Sequence, residues 1–275
     1  MRPIAMPAYI KQLWEADSSR NNEYIASIRQ QYAALSKGGT VEPEVSIVIP
    51  AYNEEANILR TLSSLCNNIT YRAVEIIVVN NNSKDNTEAL VTSSSVPCIL
   101  EAKQGITNAR NAGLAKARGK YILNADGDSI YPRHWIEEMV APMANNADVA
   151  VTYGRFAFIP VGTTGRLTYF FYEYIGDALR YRNKYFKEEA VNAYGFNSGF
   201  RREQGLQVDG FNHPPEANED GWLAMKLRSA GYGKLFYVTN IKALVWTTDR
   251  RIQIDGGLYK ATVRRIKRVF FGGPR

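Results

Sequence analysis

Cysteine and histidine are scarce in this 275-residue chain, with two of each. Cys66 and Cys98 match no metal-ligand spacing and read as small buried hydrophobes, which removes a thiolate metal centre and a disulfide framework from consideration. His134, beside Trp135, and His213 read as surface histidines; the alternative for either is a third metal ligand. No run approaches the roughly 18 uninterrupted apolar residues of a membrane-spanning helix. Met1 to Leu13 lacks the compact apolar stretch and small-residue cleavage site of an export signal, so a cytosolic chain is expected. In that setting the sequons Asn68-Ile69-Thr70 and Asn81-Asn82-Ser83 carry no meaning. Also missing are a glycine-rich dinucleotide fingerprint and a phosphate loop of the GxxxxGK type, and with them the main support for nicotinamide or P-loop ATPase chemistry. Acidic residues are scarce at one end only. From Arg250 to Arg275 there are eight Lys or Arg against Asp255, which accounts for the whole net charge of +7. A neutral body with a basic tail argues against a general nucleic-acid surface and for one localised anionic partner.

Periodicity divides what is present into three stretches. Residues 1–44 read as a helical extension, with Ile10 and Leu13 and then Tyr24, Ile25, Ile28, Tyr32 and Leu35 at helical intervals, followed by the linker Gly38 to Pro43. From Val45, short apolar strands alternate with helices: Val45 to Ile49, a helix through Ile58, Leu62 and Leu65, Val74 to Val79, a short run at Cys98 to Leu100, a helix over Thr107 to Arg118, and Tyr121 to Leu123. Strands apolar on both faces and joined by helices predict an α/β fold with a mostly parallel central sheet and helices on both faces. The body is expected over 45–249, in two halves at 45–130 and 131–249. Leu167, Phe170, Phe171, Tyr174, Ile175, Ala178 and Leu179 trace one helix face, read as core. Residues 250–275 form a basic segment, and Leu258 to Phe270 read as a basic amphipathic helix. Such a helix either binds anionic lipid headgroups through 257–271, placing the chain at the inner face of a membrane, or packs on its own domain or a second subunit.

Ligands of parallel sheets sit beyond the strands' carboxyl ends, and the polar residues with chemical capacity fall there. Tyr121-Ile122-Leu123 runs into Asn124-Ala125-Asp126-Gly127-Asp128. Residues two apart in an extended segment face the same side, so both carboxylates can meet one hard, oxygen-seeking cation such as Mg²⁺ or Mn²⁺. The plainer alternative is an Asp- and Gly-rich turn. After the first strand come Pro50, Ala51, Tyr52, Asn53, Glu54 and Glu55. Here Asn53 is a candidate helix N-cap, and the acids suit the positive helix end. Arg110 lies early in its helix, where a cation is disfavoured unless it meets an anion. Together with Lys103 it can reach a diphosphate or steady Asp126.

In order along residues 45–251, Val45-Ser-Ile-Val-Ile-Pro-Ala-Tyr-Asn-Glu-Glu, Ile76 to Thr87, Gly105-Ile-Thr-Asn-Ala-Arg-Asn-Ala-Gly, Asp126-Gly127-Asp128, Gly195-Phe-Asn-Ser-Gly-Phe-Arg-Arg-Glu and Glu219-Asp220-Gly-Trp-Leu-Ala-Met-Lys-Leu resemble the family-two glycosyltransferases of GT-A, Rossmann-like fold. The resemblance implies an inverting, metal-dependent transfer from a nucleotide-diphosphate sugar to a glycan or lipid-linked saccharide, with the 45–130 half nucleotide-binding and the 131–249 half acceptor-binding. It makes Asp128 the direct metal ligand, with Asp126 on ribose or a metal-bound water. Asp220 becomes the general base, with Glu219 raising its proton affinity by like-charge repulsion. The loop Pro50 to Glu54 would cup base and ribose. Asn81 stands where the family places a base-reading carboxylate, so a uridine nucleotide is the first expectation and a different base the alternative. Asn197 would lie beside the acceptor, Trp222 would stack on a sugar ring, and Arg250 and Arg251 would close on the diphosphate or grip an acceptor phosphate. Two other readings use the same fold: a sugar-phosphate nucleotidyltransferase, and a non-catalytic nucleotide-sugar-binding subunit.

Overall fold

The computed structural model describes residues 2–263 apart from Asp17, Glu216, Asp255 and Ala261. Helices α1 (Ala8–Trp14) and α2 (Asn21–Leu35) precede the expected alternation of β1 (Val45–Ala51), α3 (Ile58–Cys66), β2 (Val74–Asn80), α4 (Thr87–Ser93), β3 (Cys98–Leu100), α5 (Ile106–Lys116) and β4 (Tyr121–Asn124). The second half continues through β5 (Ser129–Ile130), α6 (Trp135–Asn145), β6 (Val149–Gly154), β7 (Phe156–Ile159), α7 (Arg166–Phe186), β8 (Ser198–Arg201), α8 (Arg202–Gln207), α9 (Glu219–Ser229), β9 (Lys234–Val238), β10 (Val245–Thr248) and α10 (Arg250–Ile254).

Seven strands form one sheet in the order β3-β2-β1-β4-β8-β6-β9. The β3-β2-β1-β4 half is parallel, and β8 runs antiparallel to both β4 and β6. Its central strands are buried on both faces because their side chains divide between two layers. Ile47, Ile49, Ile76, Val78 and Leu123 pack with Leu62 of α3 and Met139 of α6. Val48, Ile77, Val79 and Ile122 pack with Leu114 of α5 and Leu223 of α9. The parallel half therefore aims the carboxyl ends of β1, β2 and β4 at one rim, as expected.

A second sheet, β5-β10-β7, pairs β5 antiparallel with β10. Because β5 begins one residue after Asp128, this pairing draws the chain around residue 248 to the carboxylates of the rim. The N-terminal helices are built into the body. Ile10 joins the cluster of Ile130, Ile159 and Trp246, and Ile28 and Leu35 of α2 join the main core.

Several local expectations are corrected. Asn53 is not a helix cap: α3 starts at Ile58 with Asn57 before it, while Asn53 has φ 55° and its Oδ1 accepts from Lys84 N at 2.8 Å. Cys66 is buried, and burial pushes its thiol up to about 12, but Cys98 is only half-buried. The face of α7 read as core points outward, with Leu167 58%, Phe171 60% and Ile175 57% exposed. Its buried side instead holds Tyr169, Glu173, Gly176 and Arg180. Periodicity shows which residues share a face but not which face meets the body, and here ion pairs make the polar side the buried one. The amphipathic helix expected over 257–271 lies mostly outside the described residues. Among those that are described, no helix is long and apolar enough to cross a membrane.

Candidate active site

At the rim, β4 delivers Asp126 and Asp128. Two hydroxyls fix the turn between them: Thr61 Oγ1 donates to the carbonyls of Gly127 and Ser129, both at 2.8 Å, and Tyr131 Oη accepts from Asp126 N at 2.9 Å. Gly127 permits a close approach, since a Cβ there would lie 3.1 Å from Glu54 Cγ. That contact sets Glu54 beside Asp128.

A cation already lies between these two carboxylates. Arg250 Nη2 is 2.5 Å from Glu54 Oε1 and 3.2 Å from Asp128 Oδ2, and Thr248 Oγ1 donates to the same Asp128 oxygen at 2.8 Å. Burial raises the proton affinity of Glu54, and Asp128 adds to that, against the hydrogen bonds from Arg250 and Asn57. Among the described residues no three His, Cys, Asp or Glu side chains converge as a metal cage. The all-oxygen donors Asp128 and Glu54 do suit a hard cation that brings phosphate and water as its remaining ligands, the usual habit of Mg²⁺.

Behind this pair lies a second charge cluster. Arg110, the fifth residue of α5, is fully buried, with Nη2 3.0 Å from Asp126 Oδ1, Nε 3.4 Å from Asp220 Oδ1 and Nε 3.9 Å from Glu219 Oε1. The helix-dipole argument thus has its answer: the anions facing Arg110 are three carboxylates of the protein. Asp220 and Glu219 open α9, where Asn218 Oδ1 caps the helix by accepting from Gly221 N at 2.8 Å. The cluster closes because residue 195 has no side chain, a Cβ there falling 2.0 Å from Arg110 Nη2 and 2.5 Å from Asp220 Oδ2. Burial pushes the Asp220 carboxyl up to about 7; Arg110 opposes the shift, and Glu219 and Asp126 reinforce it. Asp126 is raised as well, chiefly by burial, with Arg110 again opposing and Asp128 adding. Arg110 Nε and Nη1 and Asp220 Oδ1 are buried without a hydrogen-bond partner among the described residues, which leaves polar capacity for a ligand's hydroxyls. Asp220, Arg110, Asp126 and Asp128 therefore form one continuous charged wall. Two cavities, of about 220 and about 330 Å³, lie elsewhere, against α1 and α2.

Other residues singled out in the sequence are placed as follows. Tyr52 is 48% exposed at the rim, with its ring available. Pro50 and Ala51 end β1, and the Ala51 carbonyl accepts from Asn81 N. Asn81 is buried and its amide is occupied: Nδ2 donates to the Glu101 and Lys103 carbonyls at 2.9 Å each, and Oδ1 accepts from Gly105 N at 2.7 Å. An Asn is needed there because a carboxylate has no proton for the two carbonyls. Lys103 and Arg251 are exposed and Trp222 is half-buried beside Asp220. Asn197, expected beside the acceptor, is instead fully buried with its amide engaged inside the protein: it accepts from Trp135 Nε1 at 2.8 Å and donates to the Arg155 carbonyl at 2.7 Å. His134 precedes α6, and His213 Nε2 is 3.0 Å from Thr107 Oγ1.

Sequence reasoning missed Thr61 and Tyr131, which no local signal marks because each acts through a partner set by the fold. Thr248 is the threonine of the stretch Trp246 to Arg251, which resembles a Thr/Ser-x-Arg-Arg pattern of some soluble family members, with roles expected for the two arginines alone. Asp249 lies inside the same stretch, with no role expected of it. It is fully buried, accepting from Val161 N at 2.9 Å, Tyr169 Oη at 2.5 Å and Gln253 Nε2 at 2.8 Å, and so anchors Arg250.

A parallel half-sheet with carboxylates at its rim, completed by a later half that sets Asp220 beside them, is the GT-A fold. Glycosyl transferase family 2 matches residues 46–204, more than half of the sequence, and the chain belongs to that family. It is 28% identical over 224 residues to a protein named probable glycosyltransferase YdaM of Bacillus subtilis, covering 75% of this chain and 51% of that one. The chain spans about half the length, or less, of the curated relatives it matches. Among solved structures it superposes with the mannosyltransferase PcManGT of Pyrobaculum calidifontis in complex with GDP-Man and Mn²⁺, at TM-score 0.56 and 17% identity, over 97% of this chain and 77% of that one. Glucosyl-3-phosphoglycerate synthase of Mycobacterium tuberculosis, in complex with Mn²⁺, UDP and phosphoglyceric acid, superposes at TM-score 0.54 and 20% identity, over 86% and 81%.

Proposed function

We propose that this chain is an inverting, metal-assisted glycosyltransferase that moves a sugar from a nucleotide-diphosphate sugar to the hydroxyl of a glycan or lipid-linked saccharide. The observation behind the reading is the charged wall: a carboxyl tuned towards neutrality at Asp220 stands one guanidinium away from Asp126, next to the cation-binding pair Asp128 and Glu54.

In this reading the donor's diphosphate lies at Asp128, where Mn²⁺ or Mg²⁺ would be held by Asp128 and Glu54 and would stabilise charge on the leaving phosphate. Tyr52 offers its face to the base. The acceptor hydroxyl donates its proton to Asp220 as its oxygen bonds to the anomeric carbon. The bond from that carbon to the diphosphate breaks, and nucleoside diphosphate leaves with the electron pair. A single displacement inverts the anomeric centre. Arg110 keeps Asp220 ionised and aimed, and Arg250 and Arg251 turn from Glu54 and solvent towards the diphosphate. Uridine is the first base to test, because two of the neighbouring folds, TarS of S. aureus and the phosphoglycerate synthase, are found with UDP, against GDP-Man in the mannosyltransferase.

A nucleotidyltransferase is disfavoured because the turn after β1, Ala51-Tyr52-Asn53-Glu54, has neither the glycines nor the basic residues that would cradle a triphosphate. The test is a thermal-shift panel of nucleoside diphosphates with Mn²⁺, followed by release of nucleoside diphosphate from the matching donor. Wild type is expected to be stabilised and to turn over. Asp220→Asn should be stabilised equally yet turn over about 10²–10⁴-fold more slowly. If no diphosphate stabilises the protein the reading fails, and binding without turnover by wild type would mark a non-catalytic subunit.

A further inference from the structure

Helix α7 is inside out. Its two acidic residues face the body. Arg2 Nε meets Asp177 Oδ2 at 2.7 Å, Arg166 Nη1 meets Glu173 Oε1 at 2.8 Å, and Arg180 pairs with Asp177 at 2.5 Å. Its outward arc runs the 21-residue length of the helix through Leu167, Phe171, Tyr174, Ile175, Tyr181 and Tyr185, each between 43% and 62% exposed, and ends at Phe186. No carboxylate lies on that arc. Its single charge is Arg182, which among the described residues has no ion-pair partner. The rings contact one another along the surface, Phe170 with Tyr174 at 5.0 Å and Tyr181 with Tyr185 at 4.5 Å. Burying charged groups while exposing apolar ones is costly in water, and a continuous exposed apolar strip of this kind marks a contact surface.

We propose that the outward face of α7 is a docking surface for an anionic phospholipid bilayer, with the helix lying in the interfacial plane. Two observations select this occupant. Tyr and Phe side chains with one Arg and no acid match the chemistry of the headgroup boundary, where amphipathic rings settle. The sequence from Gly256 to Arg275 holds six Lys or Arg and no acidic residue. It follows α10, which sits at the start of α7 through Tyr169–Asp249 and the packing of Gln253 on Gly162. A sequence of that positive charge, joined to the body at α10, complements anionic headgroups.

The inner side of α7 also leads to the proposed chemistry. Asn192 donates to the Arg180 carbonyl, and Ala190, two residues earlier, packs against Gly221, the neighbour of Asp220. A bilayer contact would thus hold the Asp220 side of the cleft at a fixed orientation to a lipid-carried acceptor.

The test is co-sedimentation of the full chain with vesicles of phosphatidylcholine alone or with one third phosphatidylglycerol, read without donor so that the result is independent of turnover. Binding to the anionic vesicles is expected. It should fall at least about tenfold in the Phe171→Glu/Ile175→Glu double variant, whose melting temperature and donor hydrolysis in free solution stay at wild-type values. Arg182→Glu should weaken binding only to the anionic vesicles. The proposal is overturned if wild type does not sediment with the vesicles or if the double variant binds as well as wild type. It is equally overturned if sedimentation velocity shows a wild-type dimer that the double variant breaks, because a second copy would then cover the face.

Discussion

Arg110 is the residue on which the site's electrostatics turn. One buried guanidinium faces Asp126, Glu219 and Asp220, so the cluster stays anionic even with Arg110 charged. Replacing it by Met leaves three carboxylates without their cation. The expected cost is about 3–5 kcal/mol of stability, measurable by urea denaturation. The same variant should lose turnover, because Asp220 then holds its proton at neutral pH. In the wild type a base must be ionised to act, and burial raises Asp220 to about 7. Accordingly kcat/KM should fall as pH drops through an apparent value near 7 that belongs to the carboxylate cluster as a whole. A profile flat from pH 5 to 8 would remove Asp220 from the role of base.

Short segments are held at the rim by side chains whose partners lie in other elements. The loop from β3 to α5 is tied down by Asn81, which satisfies the Glu101 and Lys103 carbonyls and the Gly105 amide together. Asn81→Asp restores the acid usual in the resembling family, but here it would turn two donated hydrogen bonds into repulsions. The expected outcome is a loss of about 1–3 kcal/mol for each carbonyl left unpaired and no gain in UDP affinity, read by thermal denaturation and calorimetric titration. Tighter UDP binding would show that the amide had been standing in for a base-reading carboxylate. The strands themselves were legible because Val45 to Ile49 and Val74 to Val79 are apolar on both faces. The face of α7 was not, because its burial depends on ion pairs with Arg2, which lies 171 positions from Glu173 and 175 from Asp177.

Across the whole molecule, the N-terminal segment and the second sheet bind distant parts of the chain into one frame. Arg2, fully buried at its side chain, reaches Glu173 and Asp177 of α7 and the Phe156 carbonyl of β7. Arg2→Ala would orphan that carbonyl and leave Glu173 with Arg166 as its remaining cation. A loss of about 3 kcal/mol is expected, with faster amide exchange in α7 as the specific signature. Unchanged exchange there would mean that α7 is held by its apolar inner contacts alone. Pairing of β5 with β10 has the larger functional consequence, since it brings Thr248 and Arg250 to Asp128 across 120 and 122 positions of sequence.

The sequence by itself determined the alternating α/β order, the rim at which polar residues collect, and the residue types able to hold a cation and accept a proton. Each of these follows from periodicity or from chemistry within a few neighbouring positions. Only the tertiary structure decided that Arg110 faces Asp220 as well as Asp126, that Arg250 lies between Glu54 and Asp128, that Asn81 and Asn197 spend their amides inside the protein, and that α7 turns its rings outward. Those outcomes depend on which buried charge finds which partner. Pairs such as Arg110–Asp220 and Arg2–Asp177 join separate segments, and no spacing along the chain encodes them.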